Sequence, residues 1–233
     1  MRHFWCTRDQ QSKNQGSASG VRDKGARSAV TGGAHLNGFV DIIHDLLIEA
    51  GIPKAGIYLR NSLELPGFFR PQKKWDLLVV VDNTLLATIE LKAQVGPSFG
   101  NNFNNRSEEA VGNATDYWTA YREGAYGESP RPWLGYLMLL EDTEKSLAPV
   151  RVKEPHFPVF PEFRETSYAK RYELLLQKLV RERLYDATCL LLSKRSAVDS
   201  GAYCEPSSEL SFVNFAADLM ARASAFARFR GSQ

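Results

Sequence analysis

Residues 75–92, which read WDLLVVVDNTLLATIELK, decide the fold. They contain two apolar runs, Trp75 to Val81 and Leu85 to Lys92, joined through Asp82-Asn83-Thr84. Apolar runs of this length on either side of a polar turn predict a β-hairpin of buried strands. The hairpin is therefore expected to form the centre of a β-sheet.

The segments on both sides of the hairpin alternate between helical and extended patterns. Helices are predicted over residues 37–50, 105–122, 168–184 and 212–229, and further strands over 57–59, 63–69, 134–140 and 187–192. Residues 96–105 predict a loop, with Asn105 and Glu108 as the N-cap and capping-box partner of the helix that follows. This order predicts one α/β domain over residues 1–233, with a central mixed sheet flanked by helices.

Composition excludes several classes of protein. The chain has 233 residues, a formal net charge of +2 and 43% apolar residues, so it can bury a core and wholesale disorder is excluded. No apolar run approaches the ~18–20 residues that cross a bilayer, and the start lacks a signal peptide's apolar stretch, so no membrane partner is expected. Three widely separated cysteines fit neither a disulfide framework nor paired zinc knuckles, which favours a reducing cytoplasm. Residues 1–30 are expected to be flexible or arm-like.

Three charged residues of the hairpin point to chemistry. The two-residue period of a strand places Glu90 and Lys92 on one face, and the turn brings Asp76 back beside them. Charges inside a sheet are costly unless they are paired or bind a metal. Two carboxylates are suitable ligands for Mg²⁺, and a nearby ammonium can orient a water for attack on a phosphodiester. The alternative is a structural ion pair of Lys92 with Glu90 or Asp76.

The loop after the hairpin concentrates amide side chains just beyond these charges. Asn and Gln can bond to the edge of adenine, and Arg to that of guanine, in the major groove of DNA. The alternative is that the asparagines supply turn and capping chemistry. The near-zero net charge does not by itself indicate a nucleic-acid partner. The candidate DNA-binding residues are Gln94, Ser98, Asn101, Asn102, Asn104, Asn105 and Arg106.

These residues resemble a known family. Asp76, Glu90-Leu91-Lys92 and above all residues 94–110 resemble the XhoI-type family of type II restriction endonucleases, as do residues 29–33, 119–125, 171–173 and 211–212. The resemblance implies a PD-(D/E)XK nuclease core and a Mg²⁺-dependent homodimer, partnered in the host by a DNA methyltransferase. It implies cutting of double-stranded DNA within the palindrome 5′-CTCGAG-3′ to leave 5′ overhangs. By the same resemblance, Asp76, Glu90 and the backbone carbonyl of Leu91 would hold the metal, and Lys92 would help to activate water.

The chain departs from the family pattern in two places. Trp75 precedes Asp76 where the motif usually has proline, and Pro71 lies five residues upstream. The chain also begins close to Phe4-Trp5, which in similar proteins lies at the end of a longer leading helix, so a shortened start is expected to weaken the dimer or the fold. Two other functions stay open from the sequence: a DNA-binding protein without turnover, and a structure-specific repair nuclease built on the same core.

Overall fold

The computed structural model describes residues 1–18 and 34–230 and contains one main sheet with helices on both faces. The strands are β1 (Ile57–Tyr58), β2 (Glu64–Pro66), β3 (Gln72–Lys74), β4 (Leu77–Val81), β5 (Thr84–Gln94), β6 (Trp133–Glu141) and β7 (Ala187–Ser193). The helices are α1 (Arg2–Ala18), α2 (Asn37–Glu49), α3 (Gly100–Arg122), α4 (Glu144–Leu147), α5 (Tyr168–Arg181) and α6 (Phe212–Arg230).

The main sheet is mixed, with the strand order β1-β4-β5-β6-β7. The pairs β1/β4 and β4/β5 are antiparallel, while β5/β6 and β6/β7 are parallel. Asp82 and Asn83 join β4 to β5 with positive φ values of 47° and 60°, which is the twist that a two-residue hairpin turn requires. The predicted hairpin and the predicted mixed α/β architecture are therefore confirmed, and β2 and β3 form a separate small hairpin.

Each face of the sheet carries its own apolar core. Buried side chains of α1, α2 and α6 pack on one face against Ile89 and Leu91 of β5. Buried side chains of α3 and α5 pack on the other face, against Tyr136 and Met138 of β6. All nine residues of β6 are buried, which is why this central parallel strand is a continuous apolar run in the sequence.

The structure corrects two of the predictions made for individual segments. The helix expected to begin with an Asn105 cap begins five residues earlier, at Gly100, and Phe99 precedes it without a side-chain cap. Phe99 is buried, so packing of its ring rather than a polar cap fixes the start of α3. Residues 2–18, expected to be arm-like, form α1. The remainder of that expected segment and residues 29–33, which carry part of the family resemblance, lie outside the described residues.

The N-terminal helix is anchored by two aromatic residues. Phe4 and Trp5 are buried in the core shared with α2 and α6, and their rings meet edge to face 4.9 Å apart. The Trp5 indole N–H donates a 3.0 Å hydrogen bond to the Ser193 hydroxyl at the end of β7. Composition predicted a loose segment here because two core aromatics are a small signal among many polar residues.

Among the helices within residues 1–18 and 34–230, none combines the length and apolar character required to cross a membrane.

Replacing Trp5 by alanine tests the docking of α1. The Trp5→Ala variant should lose about 3–5 kcal/mol of unfolding free energy, because it leaves a cavity and removes the bond to Ser193. Phe229→Ala, at a site whose side chain is 78% exposed, is the matched control and should change stability by less than about 0.5 kcal/mol. Urea unfolding measures both, and an equal small effect in the two variants would contradict the docking.

Candidate active site

Asp76 is tied directly to the strand that carries Glu90 and Lys92. The Asp76 backbone N–H donates to the Ile89 carbonyl at 3.2 Å, which extends the β4/β5 pairing by one residue. One Asp76 carboxylate oxygen, Oδ2, accepts a 2.7 Å hydrogen bond from the Leu91 backbone N–H. The turn at Asp82-Asn83 thus brings together the three residues that the sequence placed at one end of the hairpin.

Glu90 lies inside the protein with a lysine on each of its oxygens. Glu90 is 1% exposed. Lys73 Nζ lies 2.9 Å from Oε2 of Glu90, and the Lys92 ammonium forms an ion pair with Oε1. Lys73 comes from β3 and also lies 4.2 Å above the ring of Trp75. An isolated buried carboxylate would be costly, so these two ammonium groups account for its presence in the sheet.

The electrostatics differ between the two carboxylates. Burial opposes the ionisation of Glu90, but the ammonium groups of Lys92 and Lys73 outweigh it and hold the pKa of Glu90 below its usual range. Burial also opposes the charge on Lys92, but the carboxylates of Glu90 and Asp76 raise its pKa. For Asp76, burial and repulsion by Glu90 raise the pKa. Lys92 and Glu90 are therefore charged at neutral pH. The negative charge of Asp76 is opposed by burial and by the carboxylate of Glu90.

The site is open to solvent. Asp76, Leu91, Lys92 and Arg106 line one surface cavity, and the Lys92 side chain is 21% exposed. Glu90 lies behind them as the buried partner of Lys92. A purely structural ion pair sealed from water would leave no route for a substrate, whereas this arrangement presents a carboxylate and an ammonium to the cavity.

Gln94 fixes the loop between β5 and α3. Its amide NH₂ donates to the carbonyls of Phe99 at 3.0 Å and Ser98 at 3.3 Å, and its amide oxygen accepts from the Tyr172 hydroxyl. Gln94 is 2% exposed, so this placement does not support the prediction that Gln94 contacts DNA directly. Its bonds instead hold the loop in place at the edge of the site.

The remaining loop residues lie at or near the surface. Ser98, Asn101, Asn104 and Asn105 are exposed, and Arg106 is partly buried and paired with Glu109. The Asn102 amide donates a 2.6 Å hydrogen bond to the Ser98 carbonyl and so stabilises the first turn of α3. The exposed amides and Arg106 lie on the part of the chain that leads from the cavity into α3.

Comparison with known proteins identifies the family. Residues 14–205 match the family model described as restriction endonuclease XhoI. The chain is 52% identical over 208 residues to the type II restriction enzyme BstVI of Geobacillus stearothermophilus, covering 87% of this chain and 92% of that protein. It is 48% identical over 179 residues to the type II restriction enzyme XhoI of Xanthomonas vasicola, covering 76% of this chain and 71% of that protein. No solved structure gives a significant match.

The chain belongs to the XhoI family of restriction endonucleases. It is a type II site-specific deoxyribonuclease.

The donor atoms of this XhoI-family site suit a hard divalent cation. Asp76 uses Oδ2 to accept from the Leu91 N–H. The carbonyl of a strand residue points to the same strand edge as its N–H, so the Leu91 carbonyl lies on the edge of β5 that carries Asp76. No group of three or more His, Cys, Asp or Glu side chains gathers within residues 1–18 and 34–230. An ion here would therefore complete its shell with the Leu91 carbonyl, waters and phosphate oxygens, as Mg²⁺ commonly does.

Sequence reasoning did not find the second lysine on Glu90. Lys73 lies 17 residues away, in a three-residue strand whose pattern carries little information about its orientation. The register of β2 and β3, which pairs Lys73 with Leu65, is the feature that directs it towards Glu90. The available signal was weak: the lysine pair Lys73-Lys74 shortly before Asp76 in the sequence.

Removing Lys73 tests its support of Glu90. Lys73→Met leaves Glu90 with Lys92 alone, so the metal-free protein should lose about 1–3 kcal/mol at pH 7.5. The pKa of Glu90 is lowered in the folded protein, so the stability it contributes is present above its usual value of 4.5 and is lost as the pH falls below it. Urea unfolding at pH 7.5 and 4 should therefore show the difference shrinking. Lys73→Arg should restore part of the stability. A loss of unfolding free energy in Lys73→Met that is the same at both pH values would contradict the ion pair.

Neutralising Asp76 should stabilise the metal-free protein. Asp76→Asn keeps an oxygen to accept from Leu91 but removes the charge that burial and Glu90 oppose. A raised pKa means that ionisation costs stability as the pH rises above the usual 3.8, so the advantage should grow from that pH and level off above the raised value. Thermal unfolding in EDTA measures it, at about 2–4 °C per kcal/mol for a chain of this size. A lower unfolding temperature at pH 7.5 would contradict the assignment.

Proposed function

We propose that the protein is a Mg²⁺-dependent endonuclease that cuts double-stranded DNA within 5′-CTCGAG-3′ and leaves 5′ overhangs. The observation that carries the chemistry is that Asp76 and Lys92 line an open cavity at the end of the β4/β5 hairpin, with Glu90 buried directly behind them on Lys92. The target sequence and the overhang come from the resemblance to XhoI-type enzymes. Membership of that family, at about half identity to two restriction enzymes, supports both.

The residues of the site divide the work of hydrolysis. Asp76, Glu90 and the Leu91 carbonyl would hold the ion, which when bound supplies a Lewis acid that offsets charge on the phosphate oxygens. Lys92 stays protonated because its pKa is raised, so it acts as a hydrogen-bond donor rather than as a base. Its ammonium orients the attacking water and stabilises the negative charge that develops on it. Positioning in line with the scissile bond supplies the rest of the rate enhancement.

The exposed residues of the loop and the first turns of α3 would contact the DNA. Ser98, Asn101, Asn104 and Asn105 are free to meet phosphates and base edges, and Arg106 lies on the wall of the cavity beside Asp76 and Lys92. Asn102 contributes by holding the first turn of α3, and Gln94 by fixing the loop from inside. The proposal therefore assigns base and phosphate contacts to the exposed members and a positioning role to these two.

A palindromic target favours a twofold-symmetric enzyme. Each protomer of a homodimer meets the same half-site and cuts one strand, so a single site per chain is sufficient. Such an enzyme would act on DNA in the cytoplasm, where the host requires a cognate methyltransferase to protect its own copies of the site.

Glu90→Gln and Lys92→Ala should abolish cutting while leaving DNA binding measurable. Glu90→Gln keeps the shape of the buried side chain but removes the charge for the ion, and Lys92→Ala removes the group that orients water. Digestion of a plasmid that carries CTCGAG, in Mg²⁺, should show at least about a hundredfold loss of rate. Binding of the same site in Ca²⁺ should persist, and wild-type cutting by either variant would falsify the assignment.

Two exposed residues provide matched controls, and the wild-type digest separates the alternatives. Lys54→Ala and Glu128→Ala change the same charges at exposed positions and should cut normally. Sequencing the ends of the wild-type fragments identifies the site and the overhang. Specific binding without fragments would indicate a DNA-binding protein without turnover, and cutting that follows DNA structure rather than sequence would indicate a repair nuclease.

A further inference from the structure

The tip of the small β2/β3 hairpin exposes two adjacent aromatic rings. Phe68 is 52% exposed and Phe69 is 70% exposed, and their rings contact each other edge to face at 5.1 Å. Within the described part of the chain, neither ring is assigned to the two apolar cores. Large apolar groups exposed together often mark a surface that binds a partner.

A buried carboxylate holds this tip in one conformation. Asp116 of α3 is 5% exposed, and its Oδ1 accepts from the backbone N–H groups of Phe68 and Phe69, both at 2.8 Å. Its Oδ2 accepts from the Arg70 guanidinium at 2.8 Å, and that guanidinium also donates to Asn113 at 2.7 Å. The two rings are therefore presented on an ordered loop, which lowers the entropy lost when they meet a partner.

Gly67 is required for this close approach. A Cβ at residue 67 would lie 2.5 Å from Asp116 Oδ2 and 2.7 Å from the Arg70 carbonyl oxygen. The second of these is a backbone atom and cannot move aside cheaply. Substitution of Gly67 would therefore displace the tip from Asp116 without removing either ring or any charge.

The hairpin that carries the tip also reaches the catalytic site. Lys73 of β3 contacts Glu90 at 2.9 Å, and Phe69 precedes Lys73 by four residues, a span of at most about 13 Å. That distance corresponds to about four base pairs at 3.4 Å each. A duplex that is cut at Asp76 and runs along β3 would therefore meet the two rings.

The charge around the tip favours DNA over a second copy of the chain. Residues 60–74 contain four basic side chains and one acidic side chain. Arg70 and Lys73 are paired with Asp116 and Glu90, and Arg60 and Lys74 are exposed and lie outside these two pairs. A twofold contact between two tips would bring the same basic groups together, whereas a duplex supplies phosphates for the charges and stacked bases for the rings.

We propose that Phe68 and Phe69 form an apolar wedge that packs against a base step of the bound duplex, beside the position of cleavage. Aromatic side chains that meet bases in this way contribute by stacking, and apolar wedges at base steps can partly unstack them. The wedge is a further contact of the same site, and it rests on the proposed cleavage of double-stranded DNA.

The double variant Phe68→Ala/Phe69→Ala tests the wedge. Its affinity for a CTCGAG duplex in Ca²⁺ should fall at least about tenfold, the loss expected when stacking contacts are removed. The dependence of log Kd on log salt should not change, because no phosphate contact is lost. A duplex with 2-aminopurine next to the site should gain fluorescence when the wild type binds and should gain less with the variant.

Two further variants separate the wedge from general effects. Phe157→Ala/Phe160→Ala removes a second pair of exposed phenylalanines, 83% and 71% exposed, and should bind DNA as the wild type does. Gly67→Ala keeps both rings and every charge but displaces the tip, so it should weaken binding with the same unchanged salt dependence. Thermal unfolding of the phenylalanine variants should match that of the wild type because all four rings are exposed.

Defined results would overturn the wedge. Wild-type DNA affinity of the Phe68→Ala/Phe69→Ala variant would contradict the wedge. A reduced salt dependence of its DNA binding would also contradict it, because that result would indicate lost phosphate contacts. A smaller sedimenting species for that variant than for the wild type would assign the tip to the contact between protomers. Failure of the wild type to cut the plasmid would instead overturn the proposed cleavage. That digestion uses the wild-type protein alone, so the two outcomes are distinguishable.

Discussion

The position of Glu90 between Lys73 and Lys92 is the constraint on which the site depends. A carboxylate that is 1% exposed in the middle of a sheet is tolerated only with opposite charges on its oxygens. One of those charges comes from the same strand, two residues away, and the other comes from a separate hairpin. The two ammonium groups hold Glu90 ionised, and Lys92 also lines the cavity.

Opposite charges meet in the site before any ion is present. Glu90 is held ionised between the ammonium groups of Lys73 and Lys92, whereas burial and repulsion by Glu90 oppose the charge on Asp76. A divalent cation held by the carboxylates would add positive charge beside Arg106 on the cavity wall, which complements a phosphodiester and its developing charge. Burial and repulsion by Glu90 raise the pKa of Asp76, so ionisation of this carboxyl costs stability in the metal-free protein. Under the proposed function, a bound cation would relieve that cost.

The sequence predicted the parts of this structure that depend on local pattern. The β4/β5 hairpin, the apolar strands β6 and β7 of a mixed sheet and the approach of Asp76 to the Glu90–Lys92 end follow from apolar runs and a polar turn. Packing that acts over long sequence distances was not predictable: α1 docks through the buried Phe4 and Trp5, and Trp5 bonds to Ser193, 188 residues away. The start of α3 was missed for the same reason, since a buried Phe99 rather than a polar cap decides it. Gln94 has an amide side chain of the kind that can read a base, and only its bond to Tyr172 in the structure shows that this side chain points inwards.

The small β2/β3 hairpin connects the candidate active site to the aromatic tip through two buried carboxylates. Its strands are three residues long, so it is too short to be stable alone. One end is held by Lys73 on Glu90 and the other by Arg70 on Asp116. Any cation that replaces Lys73 on Glu90 removes the first anchor and leaves the second, because Asp116 also accepts from two backbone N–H groups of the tip. The bonds of Asp116 therefore hold the tip independently of the contact between Lys73 and Glu90.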